Sequence, residues 1–331
     1  MDTVRRSLMF SPLALVATGV TAQTPAPTAP TQKTVKWPAP SGTIDLWPHG
    51  ISGQLHADMQ EIVEDISTDP ATLLRRVHGI SRPRLAVFPA QKPNGSAMLV
   101  IPGGGFTANY FDHEGYQLAD YLNGHGITCF VLFYRLANDG WDKPADVGLI
   151  DTQRAMRLIK ANAPRYNIDA AKTGVIGFSA GGFLTASLAT RHAASLYAPV
   201  DEADKLDARP QLAAPIYPVQ SVDPAIAYSG VAPTLFGGKV TPEIIAAYSP
   251  DMNVSATTPP CFLVHAEDDT TVPVANSTRF RDACKAMKIP VETHLFESGG
   301  HGFGMKPDPD QPDHVWPDLF INFARRQGLM G

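Results

Sequence analysis

Apolar and polar positions fall into blocks along most of the chain. Short, nearly continuous runs of apolar, β-branched or aromatic residues recur at 85–88, 98–101, 127–133, 173–178, 212–217, 261–265 and 291–296, most of them bounded by glycine or proline. Runs of this length without alternation predict strands buried on both faces, as in parallel sheets. Helical patterns separate them at 112–123, 147–162, 180–191, 274–287 and 313–326. In the second of these, Leu149, Ala155, Met156, Leu158 and Ile159 make one apolar stripe. Alternating strand and helix signals predict an α/β fold, a mostly parallel central sheet with helices on both faces. The prolines are spread between elements, so 37–331 reads as a single domain. The connection 218–259 is long and proline-rich for an α/β unit, and is expected to cover part of the active face as a small partial cap.

The first 36 residues break the pattern. Arg5 and Arg6 precede an apolar stretch at 8–20, and Val20-Thr21-Ala22 follows as a small-residue cleavage site. This is the order of a secretory signal peptide over 1–22, and it predicts export to the periplasm or the exterior. Arg5-Arg6-Ser7-Leu8-Met9 also loosely resembles a twin-arginine signal. The apolar stretch is shorter than the roughly 20 residues a membrane span needs and contains Pro12, so no span is expected. Residues 23–36, rich in Pro, Thr and Ala, read as a flexible tether.

Composition narrows the class. With 44% hydrophobic and 18% charged residues the chain is an ordinary folding one. Its net charge of −5 offers no basic surplus for phosphates, which argues against nucleic acid as a partner. Three cysteines cannot complete a disulfide framework, and Cys129 and Cys261 sit in apolar runs. No spacing of Cys or His suggests zinc, and neither a metal nor a cofactor is expected.

The chemistry begins at Gly177-Phe178-Ser179-Ala180-Gly181, a G-x-S-x-G placed between a strand and a helix. Such an elbow needs small neighbours, because the serine backbone is strained to lift its hydroxyl above the sheet. Upstream, Ile101-Pro102-Gly103-Gly104-Gly105-Phe106 ends another strand, and glycines there let backbone amides face a carbonyl oxygen. The loop lacks the Gly-Lys-Ser/Thr of a phosphate loop, and Ala108 breaks the dinucleotide pattern. Downstream, His265-Ala266-Glu267-Asp268-Asp269 follows a strand, and Asp269 is the acid best placed to turn back over the sheet. Last comes Gly299-Gly300-His301-Gly302, a histidine with little around it to pack against. His265, the rival, sits within the strand end and is expected to satisfy a local hydrogen bond. The order Ser179, Asp269, His301 is that of the α/β-hydrolase triad.

Nearby residues are given structural roles. Asp112 reads as a helix cap with Glu114 in the first turn, and Arg135, Asp151 and Arg154 as ion pairs around the sheet. His113 and His192 read as surface residues. Phe106 and Phe303 either wall the acyl side of the pocket or pack under the loops.

The stretches LVIPGGGF, EGYQLADYLNGHGITCFVLFYRL, IGFSAGGFL, FLVHAEDDTTVPVANS and GGHGFG together resemble the α/β-hydrolase superfamily. Within it they are most similar to the esterase branch that holds acetyl-xylan esterases and related carbohydrate esterases. That resemblance implies a serine esterase acting on short-chain, acetyl esters of plant polysaccharide or oligosaccharide through an acyl-enzyme on Ser179. It implies Asp269 as the acid, and the amides of Gly104, Gly105 and Ala180 as the oxyanion hole. Feruloyl or general short-chain carboxylesterase activity is the neighbouring reading. A peptidase of the same fold is disfavoured, since neither a propeller segment nor paired glutamates for a peptide amine are seen.

Overall fold

Eight strands of the described residues share one sheet, and its ladder sets the ends of the central strands side by side. The structure, a computed structural model, describes residues 38–330 apart from 52, 54–57, 69–71, 306–307 and 309. The signal peptide and tether read from the sequence lie outside the described residues. The strands are β1 (Gly42–Asp45), β2 (Ile62–Asp65), β3 (Arg75–His78), β4 (Arg84–Phe88), β5 (Ala97–Ile101), β6 (Thr128–Phe133), β7 (Thr173–Phe178), β8 (Ala213–Ile216), β9 (Cys261–Ala266) and β10 (Val291–Phe296). The helices are α1 (Gln117–Gly124), α2 (Val147–Ala161), α3 (Ala180–Arg191), α4 (Val231–Phe236), α5 (Pro242–Tyr248), α6 (Ala275–Ala286) and α7 (Trp316–Arg326).

Strand order in the main sheet is β1-β4-β6-β5-β7-β8-β9-β10, with only the pairings that involve β4 antiparallel. Every residue of β5 to β9 is buried, as continuous apolar runs require. Helices cover both faces: α2 and α3 pack together over β5, β7 and β8, while Tyr121 of α1 donates to Asp318 of α7 on the other side. Trp316, Phe320 and Phe323 of α7 bury against Phe178 and Phe262. This is the α/β fold the patterning predicts.

Register brings the site loops together. Ile101 at the end of β5 pairs with Gly177 near the end of β7, and Phe178 pairs with Ile216 at the end of β8. Ala266 and Phe296 close β9 and β10 in the same way. The loops that follow therefore leave the sheet along one edge.

Three parts escape the sequence pattern. Strand β1 pairs with β4, and β2 and β3 form a separate hairpin whose Val77 bridges to Asn109 beyond the glycine loop. The connection between β8 and β9 contains α4 and α5, tied down where Asn276 of α6 accepts from the amides of Gln220 and Ser221. The helical pattern at 112–123 opens as a π-helical turn over Asp112–Tyr116, in which the Tyr116 amide donates to Phe111 O at 2.8 Å.

Candidate active site

Ser179 stands between β7 and α3 with φ 52° and ψ −116°, a left-handed conformation rare for any residue with a side chain. The elbow tolerates no bulk behind it. A Cβ on Gly181 would stand 2.1 Å from the Ile101 carbonyl oxygen, so glycine is required for the helix to start against β5.

His301 completes a relay. Its Nε2 lies 2.8 Å from Ser179 Oγ, and its Nδ1 lies 2.6 Å from Asp269 Oδ2. Nδ1 facing a carboxylate carries the proton, which leaves Nε2 free to accept from the serine. Asp269 is buried, and its Oδ1 accepts the amides of Thr271 and Val272 at 2.8 Å each. Burial alone would push this carboxyl up, but the hydrogen bonds from His265, His301 and Val272 win and hold it well below the usual carboxylate range. The sequence expectation for His265 is met in an instructive way. Its Nε2 faces two acceptors, Val272 O at 2.9 Å and Asp269 Oδ2 at 3.1 Å, so it donates there, while Nδ1 accepts from Ser277 Oγ at 2.8 Å. Asp268 does something else: its Oδ1 accepts the Gly300 amide at 2.8 Å and pins the histidine loop.

The glycine loop turns its carbonyls away from the serine. Gly103 O accepts the Tyr110 amide, and Gly104 O accepts those of Thr107 and Ala108. Gly104 has φ +140°, and a Cβ there would meet Ala108 O at 2.1 Å. Among the described residues no protein acceptor takes the amides of Gly104, Gly105 or Ala180. Ala180 opens α3, where the first amides have no carbonyl one turn behind them. Three donors are thus left unspent, two on cavity-lining glycines and one on the residue next to Ser179.

A cavity of about 390 Å³ opens over this arrangement, lined by Gly104, Gly105, Ser179 and His301 together with Leu74, Arg76, Tyr110, His113, Glu114 and Tyr228. Phe106 and Phe303 are not among its lining residues. Phe106, at φ +66°, turns its ring into the core against Phe183 with centroids 5.5 Å apart, and Phe303 packs on Tyr217 at 4.4 Å. Neither walls the pocket, which corrects the reading that they border the acyl group.

Two further expectations are corrected. His113 is buried in the cavity wall, not on the surface. Asp112 caps no helix: its carboxylate takes the Arg75 backbone amide and guanidinium at 2.7–3.0 Å, tying the β2–β3 hairpin to the site. Arg135 and Asp151 do form a buried pair at 2.8 Å, and Arg154 binds Asp201 and Asp204 at 2.5 and 3.1 Å. Sequence reasoning missed Tyr110, Tyr228 and Tyr217. Tyr217 is fully buried at the end of β8, and burial followed by the nearby Glu114 charge pushes its hydroxyl far up, so it stays a donor.

A parallel-rich sheet with one reversed strand and a serine–histidine–aspartate relay along its carboxyl edge define an α/β hydrolase. The chain belongs to the BD-FAE family, whose model matches residues 86–284. It is 32% identical over 240 residues to an acetylxylan esterase of Xylanibacter ruminicola, covering 71% of this chain and 47% of that protein. It is 35% identical over 211 residues to endo-1,4-beta-xylanase B of Butyrivibrio fibrisolvens, covering 64% of this chain and 33% of that one. The chain therefore spans less than half the length of either curated relative. A crystal structure of an acetyl ester-xyloside bifunctional hydrolase from Caldicellulosiruptor lactoaceticus superposes with a TM-score of 0.70 at 30% identity, over 89% of this chain and 99% of that one.

Proposed function

We propose that this protein is a serine carboxylesterase that removes short acyl groups, acetyl first among them, from carbohydrate esters. The observation that carries the reading is the unbroken chain of contacts from Ser179 Oγ through His301 to Asp269, set beside three unspent amides. His301 takes the serine proton as Oγ attacks the ester carbonyl, and Asp269 stabilises the imidazolium that forms. The amides of Gly104, Gly105 and Ala180 receive the oxyanion. The alcohol leaves with the proton from His301, and water, deprotonated by the same imidazole, then frees the acid and restores the serine.

The sugar ester is supported by relatives named for acetylxylan and for an acetyl ester. The test is acetate release from an acetylated xylo-oligosaccharide beside a series of p-nitrophenyl esters of rising acyl length. The reading requires acetate from the sugar and abolition of turnover in Ser179→Ala by roughly 10⁴-fold or more. A preference for feruloyl esters, or for acyl chains of six carbons and beyond with no acetate from the sugar, would replace the substrate while leaving the mechanism. Export belongs to the same proposal. Expression of the full chain should yield a mature protein outside the cytoplasm that begins at Gln23, and an intact Met1 end there would overturn it.

A further inference from the structure

The mechanism leaves one buried carboxylate in the cavity wall without a task. Glu114 is 4% exposed, and its two oxygens serve two different loops. Oε2 accepts the Gly103 amide at 2.7 Å, and Oε1 accepts the Tyr217 hydroxyl at 2.8 Å. Tyr217 Oη in turn accepts the Gly304 amide at 2.9 Å, three residues past His301. The Tyr217 ring also lies 5.2 Å from the His301 ring, centroid to centroid. On the other side, Tyr134 donates to Pro102 O at 3.0 Å, so the peptide joining Pro102 to Gly103 is held at both ends. A Cβ on Gly103 would stand 2.9 Å from both Glu114 Oε2 and Ser179 Cβ, so Gly103 lies between the carboxylate and the serine with no room for a side chain.

Burying a carboxylate is costly, and an apolar residue would fill the same space more cheaply. What a carboxylate alone supplies is two acceptors aimed at two donors. With the Gly103 amide drawn onto Glu114, the next two amides, of the cavity-lining Gly104 and Gly105, are left without a protein acceptor among the described residues. With Tyr217 drawn onto the same group, the loop after His301 is fixed to the same point. Building on the esterase reading above, we infer that Glu114 is a positioning residue that locks the loop of the oxyanion amides to the loop of His301.

The test compares wild type, Ser179→Ala, Glu114→Ala, Glu114→Gln and Tyr217→Phe on p-nitrophenyl acetate. Active sites are counted with a fluorophosphonate, and the Ki of a trifluoromethyl ketone, which forms a tetrahedral adduct on a serine, is measured separately. Glu114→Ala should lower kcat per titrated site by about 100-fold, leave KM within about threefold and raise the ketone Ki in step with kcat. Glu114→Gln keeps an acceptor for Gly103 and can donate to Tyr217, and should recover at least about tenfold of that loss. Tyr217→Phe releases only the Gly304 side and should cost about tenfold. Fewer titratable sites at unchanged kcat per site in Glu114→Ala would reduce Glu114 to a folding role and overturn the inference. If Glu114→Ala does not fold, the other two variants decide: kcat and Ki both at wild-type values in each would overturn it. A wild type inactive on every ester, or an active Ser179→Ala, would instead bring down the esterase reading and Glu114 with it.

Discussion

Asp269 divides its work between its oxygens. Oδ1 is held by the backbone of its own loop, and Oδ2 takes both imidazoles. Replacing it with Asn sets an NH2 either against both imidazoles or, turned over, against the Thr271 and Val272 amides, so Asp269→Asn should lower kcat by about 10²–10⁴. Asp268→Asn keeps an oxygen for the Gly300 amide and should stay within about tenfold of wild type. Equal losses in the two variants would remove the distinction between the acids. The depressed ionisation of Asp269 has a consequence for stability as well. A carboxyl whose folded value lies below its unfolded value of about 3.9 stabilises the fold above that pH and loses the contribution as pH falls through the folded value. The gap in thermal midpoint between wild type and Asp269→Asn should therefore be full near neutrality and narrow steadily below about pH 4. A gap unchanged from neutral pH to about pH 3 would contradict this sign.

Among elements, α2 offers the clearest isolated test. Arg154 is fully buried and held by Asp201 and by Asp204, itself buried at 2% side-chain exposure. Arg154→Met removes the cation paired with Asp204 while leaving it the Tyr197 hydroxyl and the Val200 amide, and should cost about 3 kcal/mol in urea unfolding, with kcat unchanged. A loss below about 1 kcal/mol would place the pair among exposed ones. Elements also divide by how legible they are in sequence. The strands β5 to β9 announce themselves because burial on both faces demands continuous apolar residues, and Ser179, Asp269 and His301 because their backbones demand glycines or strand ends. Strands β1 and β2 are short, largely exposed and partly charged, and carry no such signature. Tyr228 reaches the cavity from the β8–β9 connection and Arg76 from the β2–β3 hairpin, through tertiary placement that spacing does not encode. Phe106 misleads for a local reason: with φ at +66° its ring points into the core, although its position after three glycines suggests the pocket.

For the molecule as a whole, the cysteines report on integrity. Cys129, Cys261 and Cys284 are free and completely buried, and burial pushes the Cys129 thiol far above its ordinary ionisation. A disulfide-exchange dye should find no reactive thiol in the native protein and three per chain after denaturation. Reaction of any of them in the native state faster than global unfolding would show a local opening of the β6 or β9–α6 region.

The long connection between β8 and β9 separates two inheritances. Ser179 and the amides of Gly104, Gly105 and Ala180 come from the ends of β5 and β7, Asp269 and His301 from the ends of β9 and β10, and the excursion holding α4 and α5 donates Tyr228 to the cavity without supplying any of them. Insertions there can reshape the cavity wall around Tyr228 while the sheet keeps Ser179, His301 and Asp269 in register. Editing that one segment can thus change what the cavity admits and leave the serine–histidine–aspartate contacts as they are.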